Sequence, residues 1–218
     1  MQLPPDRIDD PRSEKILNAP PVAVLLALSM PILFLVQQRL YDGGLSYAFL
    51  PSSLVYRDWW PGLFSAMLVH GGWGHVAANA VAALAFGPPV ARLFPGLKGP
   101  VVFLAFYIVC GLVASIGYAL VHLGSNDPVV GASGAVFGLM GAALRLLGSR
   151  QGRLRALTDR RVLTAAAVIM AVNAATGLIG FAPGVEGARI AWEAHAAGFV
   201  FGILAIGPVA RIFGQKPS

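Results

Sequence analysis

The chain has 218 residues, of which 56% are hydrophobic and only 12% charged, about half the charged share of a soluble domain. So few charges cannot cover a soluble protein of this size, which excludes that class and leaves one compact membrane domain embedded in the lipid bilayer. The net charge of +6 follows from the loops, as shown below, so no nucleic acid is expected as a partner. Cys110 is the one cysteine, so no internal disulfide can form and the fold relies on packing.

A helix that crosses a bilayer needs about 20 mostly apolar residues. Six segments free of Asp, Glu, Lys and Arg approach or exceed that length: 16–38, 61–91, 99–126, 128–144, 162–185 and 194–210. The first apolar run is too long for a signal peptide and is read as a retained helix. The fourth and sixth segments have 17 residues each, so each crosses as a short helix or extends past a flanking charge. The expectation is an all-α bundle of six transmembrane helices over residues 16–212, with an N-terminal tail at 1–15 and a C-terminal tail at 213–218.

Loop charge orients the bundle. Arg7, Arg12, Lys15, Arg92, Lys98, Arg145, Arg150, Arg153, Arg155, Arg160, Arg161, Arg211 and Lys216 fall on one side, thirteen of the sixteen basic residues. Only Arg39, Arg57 and Arg189 fall on the other. The positive-inside rule places both termini in the cytoplasm, as in a bacterial inner membrane. The connection from about 41 to 60 is rich in aromatics (Tyr41, Tyr47, Phe49, Tyr56, Trp59, Trp60). It reads equally as a loop lying on the bilayer surface and as a shaped gate beside a site.

Polar groups inside spans are costly and ask for a reason. His70, His75 and Asn79 enter the second span, Gly131-Ala132-Ser133-Gly134 the fourth, and His195 the sixth. Spans two, four and six all start from the outer face, so these groups share a shallow depth of roughly 5–10 Å. A serine hydroxyl becomes a nucleophile when a base lies within hydrogen-bond reach. Glycines around Ser133 would expose amides that could stabilise an oxyanion. The small residues Gly134, Gly138 and Gly141 read as well as simple helix packing.

Gly198 and Gly202 clear the helix face that carries His195 and would let its imidazole approach Ser133. Glu193 points to another face, so the pair reads as a dyad without an orienting carboxylate. His75 and Asn79, one turn apart, supply donors suited to an oxyanion. A zinc site at His70, His75 and His195 lacks a carboxylate or cysteine ligand and the usual spacing, so no metal is expected. His122 and Asn173 look structural.

These residues resemble the rhomboid intramembrane serine proteases. The matching pieces are His70-Gly-Gly-Trp-Gly-His75-Val-Ala-Ala-Asn79, Gly131-Ala-Ser133-Gly-Ala-Val-Phe137-Gly138 and Ala194-His195-Ala-Ala-Gly198-Phe-Val-Phe-Gly202. They stand in family order on spans two, four and six, and the likeness covers nearly the whole chain. The resemblance implies Ser133 as nucleophile and His195 as general base. It implies an oxyanion hole from His75, Asn79 and backbone around Gly131–Ser133, with Phe137 packed on His195.

Two positions depart from the family. Phe137 stands where many relatives have tyrosine, and the first outer loop reads Arg57-Asp58-Trp59-Trp60-Pro61 where a Trp-Arg pair is common. The resemblance implies no cofactor, and substrates that are transmembrane proteins cut in or near their spans. The alternatives are an inactive relative that binds membrane proteins without cutting them, and a transporter or channel. An intact Ser133, His195 and Asn79 argue against the first. The absence of deep charges in the spans argues against the second.

Overall fold

A computed structural model describes residues 19–56, 59–148, 153–180 and 190–214. The proposed tail at 1–15, residues 215–218 of the tail proposed at 213–218, the Arg57-Asp58 pair, Arg150, Arg189 and the end of the fifth segment lie outside the described residues. The regular structure among the described residues is helical, apart from one isolated β-bridge between Phe49 and Val129. Six helices have twelve or more residues: α1 (Pro21–Gln37), α2 (Trp73–Ala91), α3 (Gly99–Val121), α4 (Ser133–Leu144), α5 (Arg160–Ile179) and α6 (Trp192–Phe213). Three of them, α3, α5 and α6, are long and apolar enough to cross a membrane by length and composition.

Two of the six segments are shorter as helices than their hydropathy suggests. The 61–91 segment is not one helix. Gly62–Ser65 and Ala66–Leu68 form short turns, the chain runs extended from Val69, and α2 starts only at Trp73. His70 therefore sits in a connection rather than on a span. The break is held by Gln37 at the end of α1, whose Nε2 donates to the carbonyls of His70 and Gly43 while its Oε1 accepts from the His70 amide, all at 2.8 Å.

The 128–144 segment begins with five residues that are not helix. Val129 exchanges both backbone hydrogen bonds with Phe49, at 2.9 and 3.0 Å, and helix starts at Ser133. Twelve residues rise only about 18 Å, so α4 stops well inside a bilayer-thick bundle. Its first residue is the serine.

Helix α4 is central, packing on α2, α3 and α6, with a lighter contact to α5. Its contact with α6 is backbone on backbone. A Cβ on Gly198 would collide with the Gly134 carbonyl, one on Gly202 with the Gly138 carbonyl, and one on Gly141 with the Phe199 carbonyl. In lipid, where apolar burial offers little drive between helices, such close approach maximises dispersion contact. Both readings of these glycines thus hold at once: they pack the helices, and they bring His195 to Ser133. The same packing predicts that Gly202→Leu separates α4 from α6. A lowered Tm accompanied by lost reactivity of Ser133 is the expected result.

The main core lies between α1, α2, α3 and α4 around Ala27, Phe34, Phe103 and Leu139. At the end of the bundle opposite the serine, Arg145 donates to the Arg155 and Ile203 carbonyls, and Arg155 to the Asp159 carboxylate at 2.9 Å. Asp159 caps α5 by accepting from the Arg161 amide at 2.8 Å. The Arg155 side chain and that amide hold its carboxyl below the usual range.

Candidate active site

A cavity of about 730 Å³ opens between α2, α3, α4 and α6, lined by His75, Asn79, Tyr118, Ser133, Phe137 and His195 among others. Ser133 is the first residue of α4, so amides of the first turn have no acceptor within the helix. Their dipoles favour negative charge beside the hydroxyl. His195 lies in the first turn of α6. Its Nε2 stands 2.7 Å from Ser133 Oγ, and its ring stacks on Phe137 with centroids 4.4 Å apart and planes 5° from parallel. Phe137 supplies that flat support without a hydroxyl.

The other ring nitrogen has a partner that sequence reasoning overlooked. His195 Nδ1 is 2.9 Å from Asn173 Oδ1. Asn173 Nδ2 donates to the Trp192 carbonyl, also at 2.9 Å, which fixes the amide so that its oxygen faces the imidazole. An oxygen acceptor at Nδ1 requires the proton there, leaving the Nε2 lone pair toward the serine. Asn173 is thus more than structural filling. Its signal was the cost of an amide inside a span, but its partner lies 22 residues on, in another helix.

Glu193 is occupied elsewhere, with Oε1 3.2 Å from His122 Nε2. No carboxylate orients His195 among the described residues; an amide does. His122 thereby links α3 to the start of α6.

Across the cavity, His75 and Asn79 follow each other at one-turn spacing on α2. The Gly71 amide approaches His75 Nδ1 at 3.4 Å. With Nδ1 accepting, the proton sits on Nε2, the nitrogen that faces Gly131. An added Cβ on Gly131 would lie 2.6 Å from that nitrogen, and its φ of +119° disfavours any side chain. The Gly131 amide itself donates to the Ala66 carbonyl at 2.8 Å. Gly131 therefore contributes room for the His75 ring, while its N–H is already engaged.

Asn79 is buried, and its Nδ2 has no hydrogen-bond partner. A buried donor left unpaired is costly, so an orphan on a cavity wall points to an acceptor that arrives with a ligand. His70 does not join the group. It is buried behind His75, ring centroids 5.3 Å apart, with neither ring nitrogen hydrogen-bonded. Among the described residues no three His, Cys, Asp or Glu side chains cluster at metal-ligand spacing.

The rhomboid domain family model matches residues 56–212, a range that includes all three motifs and every residue that lines this cavity. The chain belongs to the rhomboid family. It is 27% identical over 210 residues to rhomboid protease GluP of Bacillus subtilis (strain 168), covering 91% of this chain and 38% of that protein. It is 30% identical over 145 residues to RHOMBOID-like protein 9, chloroplastic, of Arabidopsis thaliana, covering 62% of this chain and 32% of that one. The chain spans about a third of the length of these curated relatives. Membership makes it a helical integral membrane protein.

Proposed function

We propose that this rhomboid is an intramembrane serine endopeptidase using Ser133 and His195. The observation that carries the reading is the 2.7 Å contact between Ser133 Oγ and a His195 Nε2 whose lone pair faces it. Ser133 Oγ attacks the scissile carbonyl carbon as Nε2 takes the hydroxyl proton. The carbonyl oxygen gains the electron pair, and Asn79 Nδ2, His75 Nε2–H and the first-turn amides of α4 receive it. The C–N bond then breaks, with Nε2 returning the proton to the departing amine. Water, deprotonated by the same nitrogen, hydrolyses the acyl-enzyme and frees Ser133.

A helical substrate segment hides its carbonyls in hydrogen bonds and must unwind before attack. Substrates are therefore membrane proteins with small or helix-weak residues near the outer end of a span. The strand-like backbone at Val129 supports this reading. Val129 pairs with Phe49, so the backbone groups of Val130, which lines the cavity, face the opposite edge. That edge suits an added strand.

The test is a serine-directed covalent probe on the purified protein, together with cleavage of labelled single-span substrates. Wild type is expected to take the probe at Ser133 and to cut. A folded wild type that does neither would favour the non-cutting membrane-protein binder. Chelators are expected to leave cleavage unchanged, because each proton and charge has a protein group to receive it.

The charge bias supports an orientation with both termini cytoplasmic and the cavity mouth outside. With Cys110 replaced by alanine, Leu123→Cys is expected to react with an impermeant thiol reagent added to intact cells. Leu157→Cys should react only after permeabilisation. Reaction of Leu157→Cys in intact cells would reverse the orientation.

A further inference from the structure

Helix α5 is the most weakly held of the six. Val162 and Asn173 are its buried residues among those described, and it packs mainly on α6 and more lightly on α4. Asn173 stands about 9 Å from the end of the helix. Both ends of its amide engage the first turn of α6, Nδ2 at the Trp192 carbonyl and Oδ1 at His195 Nδ1. One turn further on, Gly177 lies so close to the Trp192 ring that a Cβ there would collide with it. The seat of α5 and the partner of the imidazole are thus the same contact.

We infer that Asn173 is a positioning residue for His195, and that it makes the working tautomer of the base conditional on α5 being seated against α6. The inference rests on the proposed roles of Ser133 and His195. In neutral imidazole, the hydrogen bond at one nitrogen decides where the proton sits. With Asn173 seated, Nδ1 holds it and Nε2 can accept from the serine. Once α5 moves away, nothing holds the proton on Nδ1. The tautomer with the proton on Nε2 then turns a donor toward Ser133 and cannot deprotonate it.

Among the described residues, Asn173 is the hydrogen-bond partner of Nδ1. His75 lies across the cavity and accepts from Gly71, Glu193 is engaged with His122, and Asp127 lines the mouth. Tyr118 of α3 stacks near His122. A displacement of α5 that parts Asn173 from His195 therefore removes the bond that fixes the tautomer.

The test is ¹⁵N NMR of the full chain with labelled histidine in lipid nanodiscs. There are four histidines, and the His195 signals are assigned by their loss in His195→Ala. Wild type is expected to show His195 protonated on Nδ1. Asn173→Ala should move most of that population to Nε2–H and lower kcat about 10- to 100-fold with KM within about twofold. Asn173→Asp keeps an acceptor at nearly constant volume and should restore both the tautomer and most of kcat.

Gly177→Leu leaves Asn173 intact but wedges α5 off Trp192, and should shift the tautomer in the same direction as Asn173→Ala. Folded Asn173→Ala with His195 still on Nδ1–H would overturn the positioning role. Folded Gly177→Leu with an unchanged tautomer would overturn the dependence on the α5 seat. Wild type with the expected tautomer but no cleavage or probe labelling would count against the protease reading, and the tautomer result would stand.

Discussion

Ser133→Ala is expected to lose at least about 10⁴-fold in kcat while remaining folded and inserted, and His195→Ala to lose as much. The two groups act as one unit: without the base the hydroxyl keeps its proton, and without the hydroxyl the base has nothing to activate. The double variant should therefore be no slower than either single one. Probe labelling separates the roles. Ser133→Ala offers no oxygen to modify, whereas His195→Ala keeps the oxygen and should react slowly. Retained proteolysis in Ser133→Ala, with contaminating proteases excluded, would remove the serine mechanism.

The second large effect is expected at Asn79. Its Nδ2 has no partner in the resting structure, so it contributes little to holding the fold and gains an acceptor only as the carbonyl oxygen becomes an oxyanion. Asn79→Ala should lower kcat by about 10²–10³ with little change in KM, because the contact belongs to the transition state. Tm should stay close to that of wild type, since no existing hydrogen bond is broken. A raised KM at unchanged kcat would make Asn79 a residue that holds substrate.

The helices were legible because lipid imposes one simple rule, a long apolar run. Each of the six segments overlaps one of the six long helices, although α5 and α6 begin before theirs and α6 also runs past its end. The rule failed where the chain stays apolar without being helical. Nothing in the hydropathy of Pro61–Ala91 marks the break at Val69–Gly72, which depends on Gln37 reaching in from another helix. Nor does Val129 announce its pairing with Phe49.

The site was legible for a different reason. Ser133, His195, His75 and Asn79 are polar residues in costly places, and the glycines beside them implied a close approach. Asn173 carried the same kind of signal. It lacked a local motif, because its value comes from a hydrogen bond to a helix joined through a long connection.

The glycine seam between α4 and α6 has a consequence for how the site behaves with temperature. In water, apolar burial weakens on cooling because its driving force comes from hydration. The contacts between the Gly198 and Gly202 positions and the Gly134 and Gly138 carbonyls bury no hydrated surface, since the alternative partner is lipid. Their strength is dispersion between backbones, and the glycines themselves have no side chain to ionise or oxidise. The spacing of Ser133 and His195 is therefore set by a contact indifferent to cold, to salt and to pH. Changes in rate with pH must then arise at the His195 imidazole itself, and those with salt or cold at the helix ends and in the lipid, while the two backbones stay in register.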